Sequence, residues 1–143
     1  MQLTLFSDYA LRTLMYLASR DGEQTTLREL ATAYGVSLEH LRKVVHKLAQ
    51  AGLVETRQGR GGGIRLGKPA TEIRVGQVVR LMEGNAEPVD CEGRSCILLP
   101  ACTLRDHLHH AANQFYASLD EKTLADIIGQ GGQRKRLIAL RPE

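Results

Sequence analysis

Three cysteines lie within twelve positions of the chain, in the pattern Cys91-x4-Cys96-x5-Cys102. Soft thiolates this close together on one segment are typical ligands of zinc or of an iron-sulfur cluster. The spacing differs from the Cys-x2-Cys pairs of a zinc finger, and an odd number of cysteines fits a disulfide framework poorly. The pattern therefore predicts a metal-binding loop, and we favour a [4Fe-4S] over a [2Fe-2S] cluster.

Three thiolates leave one iron of a four-iron cluster open to an oxygen or nitrogen donor, or to a small exogenous molecule such as a gas. Three histidines close behind Cys102 are candidates for that donor: His107, His109 and His110. Asp8, near the start of the first predicted helix, is another, because a carboxylate on iron is a weaker and more exchangeable ligand than a thiolate. Composition alone does not choose between them.

The composition of the 143-residue chain predicts one folded domain with appendages, since 43% of the residues are hydrophobic and 24% are charged. Only 4% are aromatic and none is Trp, which disfavours a protein that reads single-stranded nucleic acid by base stacking. No run of about 18 apolar residues and no signal-peptide pattern is found, so we expect a cytoplasmic protein.

The net charge of +3 is unevenly placed, because residues 39–68 carry seven basic residues against two acidic ones. For a polyanionic partner such placement matters more than the total charge. The elements of this middle segment should therefore present the basic side chains on one surface.

Apolar residues at helical spacing predict a helix over 7–18, a second that runs through Tyr34, and a third that stops near Ala51-Gly52. The candidate N-caps are Ser7 or Asp8, Thr25 or Thr26, and Ser37. Glu29 stands in capping-box spacing in the second helix, and Gly35 ends it.

The second and third helices, joined by a turn that contains Gly35, form a helix-turn-helix pattern with basic residues on the outer face of the third helix. Two alternating strands, 53–57 and 64–66, follow around a glycine-rich turn and predict a wing whose tip residue Arg60 can enter the DNA minor groove. We therefore predict a winged helix-turn-helix domain over 1–84 that binds double-stranded DNA. Its candidate DNA-contacting residues are Arg12, Thr26, Ser37, Glu39, His40, Arg42, Lys43, His46, Lys47, Arg57, Gly59, Arg60 and Gly61.

The predicted fold class is mainly α with a small β wing. A short helix between Ile73 and Met82 should pack the wing onto the body, and the irregular segment 85–102 is the predicted cluster-binding loop. Residues 103–129 follow with a five-turn helix and a shorter one. The apolar stripe of the long helix has no other sequence large enough to cover it, so we expect a homodimer. Residues 130–143 are expected to form a flexible tail.

Short segments spread over nearly the whole chain carry a family resemblance: Met1-Gln2-Leu3-Thr4, Asp8-Tyr9, Leu11-Arg12, Tyr34-Gly35-Val36-Ser37, the wing from Arg57 to Pro69, and Pro100-Ala101-Cys102. With the cysteine spacing, they resemble the Rrf family of winged-helix regulators and, within it, the nitric-oxide-sensitive repressors. The resemblance implies a homodimer on an imperfect palindrome, with the three cysteines and the partner subunit's Asp8 as cluster ligands. Nitric oxide would be the signal that releases repression of nitric oxide detoxification genes.

Other functions are possible for the same residues. A regulator of cluster supply in this family uses a histidine three residues after its third cysteine, where this chain has Arg105. That difference disfavours a cluster-supply role, although it and a redox-sensing role remain alternatives, as does a DNA-binding protein with structural zinc. A redox enzyme is disfavoured, because the sequence has no dinucleotide fingerprint, no nucleophile with a base partner and no second cluster motif. We therefore expect no enzymatic activity.

Overall fold

A computed structural model describes residues 2–84, 87–129 and 131–140. The described elements are, in chain order, α1 (Leu5–Ala18), α2 (Leu27–Tyr34), α3 (Leu38–Gln50), β1 (Val54–Arg57), β2 (Gly63–Leu66), α4 (Val75–Glu83), α5 (Thr103–Asp120), α6 (Leu124–Ile128) and α7 (Gly132–Ala139). The predicted class, mainly α with a small β wing, is confirmed. Asn85, where the predicted loop begins, lies outside the described residues, as do Met1 and the last three residues of the predicted tail.

Helix α1 begins earlier than predicted. Thr4 is the N-cap residue, and its hydroxyl accepts a hydrogen bond from the backbone N–H of Ser7 at 3.3 Å. The prediction of Ser7 or Asp8 as N-cap was wrong, because both residues lie inside the helix. Ser7 is fully buried and its hydroxyl donates to the carboxylate of Glu83.

The helix-turn-helix forms as the local sequence predicts. The hydroxyl of Thr26 accepts from the N–H of Glu29 at 3.1 Å, and the Glu29 carboxylate accepts from the N–H of Thr26 at 2.7 Å. This capping box starts α2, and Gly35 ends it in the left-handed conformation with φ of 62°. Ser37 occupies the N-cap position of α3, although its side chain makes no capping hydrogen bond.

The wing is an antiparallel hairpin in which Val54 pairs with Leu66 and Arg57 pairs with Gly63. Thr25, just before α2, adds a further bridge, because it exchanges backbone hydrogen bonds of 3.0 and 2.7 Å with Ile64. The hairpin is therefore joined directly to the entrance of the helix-turn-helix. It also contacts α1 through β2 and α3 through β1.

Helix α4 packs against α1 and α5. It was expected to fix the wing to the body; the main contacts of the wing are with α1 and α3, and α4 also joins the winged domain to the long helix. Gly76 permits this close approach, because a Cβ there would lie 2.4 Å from the carbonyl oxygen of Tyr116 and 2.4 Å from an Asp120 carboxylate oxygen. Arg80 lies 4.5 Å from the centre of the Tyr116 ring and 3.4 Å from Asp120.

Helix α5 is 18 residues long and contains no buried residue in the single protomer. Leu104, at its start, is 64% exposed. An exposed helix of this length with an apolar stripe is typical of an interface with another chain. No helix in the described ranges is both long and apolar enough to cross a lipid bilayer.

The predicted flexible tail contains helix α7, which corrects that prediction. Its Leu137 is only 7% exposed and belongs to the core that includes α1. Nη2 of Arg134 donates to both carboxylate oxygens of Asp21, each at 2.9 Å. Burial of Leu137 stabilises a segment whose glycines and basic residues had suggested no fixed structure, and the exposed ion pair adds little.

Candidate DNA interface and metal centre

Helix α3 divides into a buried face and an exposed face. The buried residues are Leu41, Val44, Val45 and Leu48. The exposed residues among the candidates are Ser37, Glu39, His40, Arg42, Lys43 and His46, while Lys47 is half-buried. The polar candidates thus share one side of the helix, as a recognition helix requires.

Charge on the exposed face of α3 is partly balanced within the helix. Glu39 and Arg42, three residues apart, form an ion pair, with side chains 71% and 57% exposed. A surface pair of this kind is weak, so the guanidinium can exchange its carboxylate for a phosphate at little cost. Lys43 and His46 extend the same exposed face.

Two aromatic residues of α1 contact the polar face of α3. The rings of Tyr9 and His40 have centroids 6.3 Å apart and are tilted by 34°. The ammonium of Lys47 lies 5.5 Å from the centre of the Phe6 ring. The sequence reasoning did not identify Phe6 or place Tyr9 in a role. The only sequence signal was their spacing of three residues, which places them on one side of α1.

The wing presents its candidates at the tip and at the end of β1. Gly59 and Gly61 have φ values of 94° and 72°, so they adopt the left-handed conformation that glycine tolerates. Arg60, between them, is exposed, as is Arg57. By contrast, Arg65 is engaged by Glu55 at 2.7 Å across the hairpin.

Arg12 on α1 and Thr26 at the start of α2 both have partners within the protomer. Thr26 is exposed, but its hydroxyl is used in the capping box. Arg12 donates to Asp8 at 2.9 Å, and this hydrogen bond raises the pKa of Arg12 above its usual value. The hydroxyl of Tyr34 donates to the carbonyl oxygen of Arg12 at 3.1 Å, and burial raises the pKa of Tyr34 to about 12.

The Asp8–Arg12 pair stands at the edge of an open groove of about 490 Å³. Most of the groove wall is apolar and comes from α1, α4, α6 and α7: Leu11, Met15, Val75, Leu124, Ile127 and Leu137. Asp8 is half-buried, and within one protomer its carboxylate is held by Arg12. A ligand role for Asp8 would require that ion pair to open.

Each of the three cysteines is a free, half-buried thiol. The backbone N–H of Cys96 donates to the carbonyl oxygen of Cys91 at 3.3 Å, and the N–H of Leu99 donates to the carbonyl of Cys96 at 3.1 Å. Cys102 occupies the N-cap position of α5. Two ligand candidates therefore flank one hydrogen-bonded turn, and the third begins the long helix.

The donor set fits an iron-sulfur cluster chemically, because three thiols stand on one short loop. Among the residues that the structure describes, no three Cys, His, Asp or Glu side chains converge on one position that could hold a metal ion.

Carboxylates of the cysteine loop contact basic side chains of α5. Arg105 lies 3.2 Å from Glu92 and 4.0 Å from Glu87, and Nε2 of His109 lies 3.3 Å from Glu87. His107 and His110 are exposed. The sequence reasoning missed Glu87 and Glu92, because their partners lie on a different element. His109 is thus engaged by a carboxylate in this structure.

Comparison with known proteins agrees with this architecture. Residues 3–130 match the model of the Rrf2 family, described as an iron-dependent transcriptional regulator. The fold is similar to that of IscR from T. potens, at a TM-score of 0.71 and 23% identity over 90% of this chain and 86% of that one. It is also similar to CymR from Staphylococcus aureus, at a TM-score of 0.66 and 27% identity over 85% and 93% of the two chains.

A further similar structure is that of CymR, the global cysteine regulator of B. subtilis. It has a TM-score of 0.64 and 28% identity over 89% of this chain and 95% of that one. The family match spans most of the chain and joins the winged domain, the cysteine loop and the long helix in one unit. Its members are regulators of transcription and not enzymes. The chain belongs to the Rrf2 family of transcriptional regulators.

Proposed function

We propose that the chain is a cytoplasmic, dimeric repressor of the NsrR type, in which an iron-sulfur cluster makes DNA binding sensitive to nitric oxide. The observation that carries the proposal is the position of the three free thiols. They stand on the segment between α4, which packs on α1 of the winged domain, and α5, the exposed long helix. The family description, iron-dependent, supports iron over zinc at these cysteines.

The DNA-binding part of the proposal is supported by the shared face of α3 and the exposed wing tip. His40, Arg42 and Lys43 project from the first half of α3, where recognition helices contact base edges. Arg57 and Arg60 are the DNA-contacting side chains of the wing, and Gly59 and Gly61 allow its backbone to approach the phosphates closely. A dimer built through α5 would present two such units to a palindromic operator.

The ligands of the proposed centre are the thiolates of Cys91, Cys96 and Cys102 and the partner subunit's Asp8. When bound, a [4Fe-4S] cluster supplies irons that react with nitric oxide. The thiolates would hold the cluster on the loop, and the Asp8 carboxylate, a weaker ligand, would link that loop to α1 of the other subunit. Arg12 competes for the same carboxylate, because the two side chains are paired at 2.9 Å in the single protomer.

A cluster-supply role in the manner of IscR is less well supported. A guanidinium is always protonated and cannot ligate iron, and here Arg105 is engaged by Glu87 and Glu92. Arg105 joins the loop to α5 through these ion pairs, so this position supplies no fourth ligand.

The experiment that tests the metal centre is anaerobic reconstitution with ferrous iron and sulfide. The wild-type protein and the variant Cys96→Ser are compared with Ser95→Ala, a control on the same loop. We expect brown wild-type and Ser95→Ala proteins with about four irons per chain, and a Cys96→Ser protein that loses most of that iron. Colourless wild-type protein that binds zinc tightly would contradict the proposal.

A further inference from the structure

We infer that Phe6 and Tyr9 of α1 are positioning residues of the DNA interface, which set the side chains of Lys47 and His40 on α3. The inference rests on the proposed function, since it assumes that α3 faces DNA. It assigns a role in DNA recognition to two half-buried residues that belong to α1 and not to the exposed face of α3.

The geometry places one aromatic ring near each end of the recognition helix. His40 and Lys47 are seven residues apart on the 13-residue α3, so they lie on the same side two turns from each other. Phe6 and Tyr9 are three residues apart on α1 and also share a side. The Tyr9 ring contacts the His40 ring, and the Phe6 ring lies under the Lys47 ammonium at 5.5 Å.

These contacts are of a kind that restrict a polar side chain without neutralising it. A ring pair with centroids 6.3 Å apart is within the range of attractive aromatic contacts, and an ammonium over a ring face keeps its charge and its hydrogen-bond donors. Both aromatic residues also pack against the core, so they are held firmly themselves. A side chain restricted in the free protein loses less conformational freedom when it binds DNA.

The same turn of α1 carries Asp8, which lies between Phe6 and Tyr9 in sequence. Any displacement of this turn changes both contacts with α3 at once. The rings therefore give α1 a direct influence on the side chains that face DNA.

The test is a double-mutant cycle measured by operator binding, with a duplex selected from a random pool by the wild-type protein. Tyr9→Leu and His40→Ala are each expected to weaken binding about fivefold, which corresponds to the loss of one aromatic contact. The double variant is expected to bind no more weakly than His40→Ala alone, because Tyr9 acts through His40. Tyr9→Phe, which keeps the ring, should restore wild-type affinity.

A purely structural role is separated by a control on the groove side of the same helix. Leu11→Ala should lower the melting temperature without changing operator affinity at temperatures where the protein is folded. Additive effects of Tyr9→Leu and His40→Ala, or equal losses for Tyr9→Phe and Tyr9→Leu, would overturn the inference while leaving DNA binding intact. Wild-type protein that binds no duplex DNA would overturn both the inference and the proposed function.

Discussion

The carboxylate of Glu83, the last residue of α4, accepts two hydrogen bonds from Thr4, the N-cap residue of α1. The backbone N–H of Thr4 donates at 2.8 Å and its hydroxyl donates at 2.9 Å, and the buried hydroxyl of Ser7 donates to the same oxygen. This cluster joins the start of α1 to the end of α4, two residues before Asn85, where the predicted cysteine loop begins.

The pH dependence of the folding stability of Glu83→Gln, compared with that of the wild type, tests this connection between α1 and α4. Burial raises the pKa of Glu83, but the hydrogen bonds from Ser7 and Thr4 outweigh it and hold the pKa below the usual value of 4.5. Because the folded-state pKa is the lower one, the stabilisation is present above about pH 4.5 and is lost as the pH falls through the folded-state value.

We expect Glu83→Gln to lower the free energy of unfolding by about 1 kcal/mol at pH 7, and by much less at a pH below the folded-state pKa of Glu83. Urea unfolding at the two pH values measures this. Glu72→Gln, at an exposed position, is the control. Equal losses for Glu83→Gln at both pH values would show that the carboxylate charge is not responsible.

The close approach of α4 and α5 predicts that Gly76→Ala is destabilising. A methyl group there would lie 2.4 Å from the carbonyl oxygen of Tyr116, so the two helices must separate. We expect a loss of about 2 kcal/mol in the free energy of unfolding. Gly132→Ala is the control, since a Cβ at that helical position meets nothing within 4 Å. Similar effects of the two substitutions would contradict the packing described for α4.

The wing tip predicts a defined electrostatic effect of Arg60→Ala. Removing one phosphate contact should weaken DNA binding and reduce the slope of log affinity against log salt by about 1. Binding isotherms at several salt concentrations give both quantities. Lys122→Ala, an exposed cation next to the end of α5, should leave both unchanged. An unaltered slope for Arg60→Ala would remove the wing from the DNA interface.

Asp8→Ala separates a ligand role from a structural one. The Asp8–Arg12 pair is 39% and 44% exposed, so its loss should cost the apoprotein no more than about 0.5 kcal/mol. We expect the cluster absorbance and the nitric oxide response to change while the unfolding transition does not. Asp21→Ala breaks the comparable pair with Arg134 and should leave the absorbance as it is. An unchanged spectrum in Asp8→Ala would exclude Asp8 as a ligand.

Elements whose signals are local could be predicted from the sequence. The capping box of Thr26 and Glu29, the left-handed Gly35 and the glycine-rich wing each depend on residues a few positions apart. The local cap by Thr4 marks the start of α1, but the sequence did not show that Ser7 lies inside the helix with its hydroxyl bonded to Glu83, 76 positions away. The helix around Leu137 was missed for the same reason, since its stability depends on packing against α1 and not on its own composition.

The same distinction between local signals and contacts between distant residues applies to the candidate site. The periodicity of α3 predicted its exposed and buried faces, including the outward position of Arg42. Sequence spacing did not show that Phe6 and Tyr9 contact residues of that face, or that Arg105 forms ion pairs with the cysteine loop. Each of these contacts joins two different elements. The cysteine pattern predicts a metal centre, and the fourth ligand that we propose, the partner subunit's Asp8, is one that no spacing within one chain describes.

The most direct test of the account is an anaerobic titration of the reconstituted protein with nitric oxide, in which visible absorbance and operator binding are recorded on the same samples. The account predicts that the cluster absorbance bleaches in proportion to added nitric oxide as the operator is released. A colourless protein that binds the operator whether or not nitric oxide is present would contradict it, and would indicate a regulator based on zinc or on its thiols.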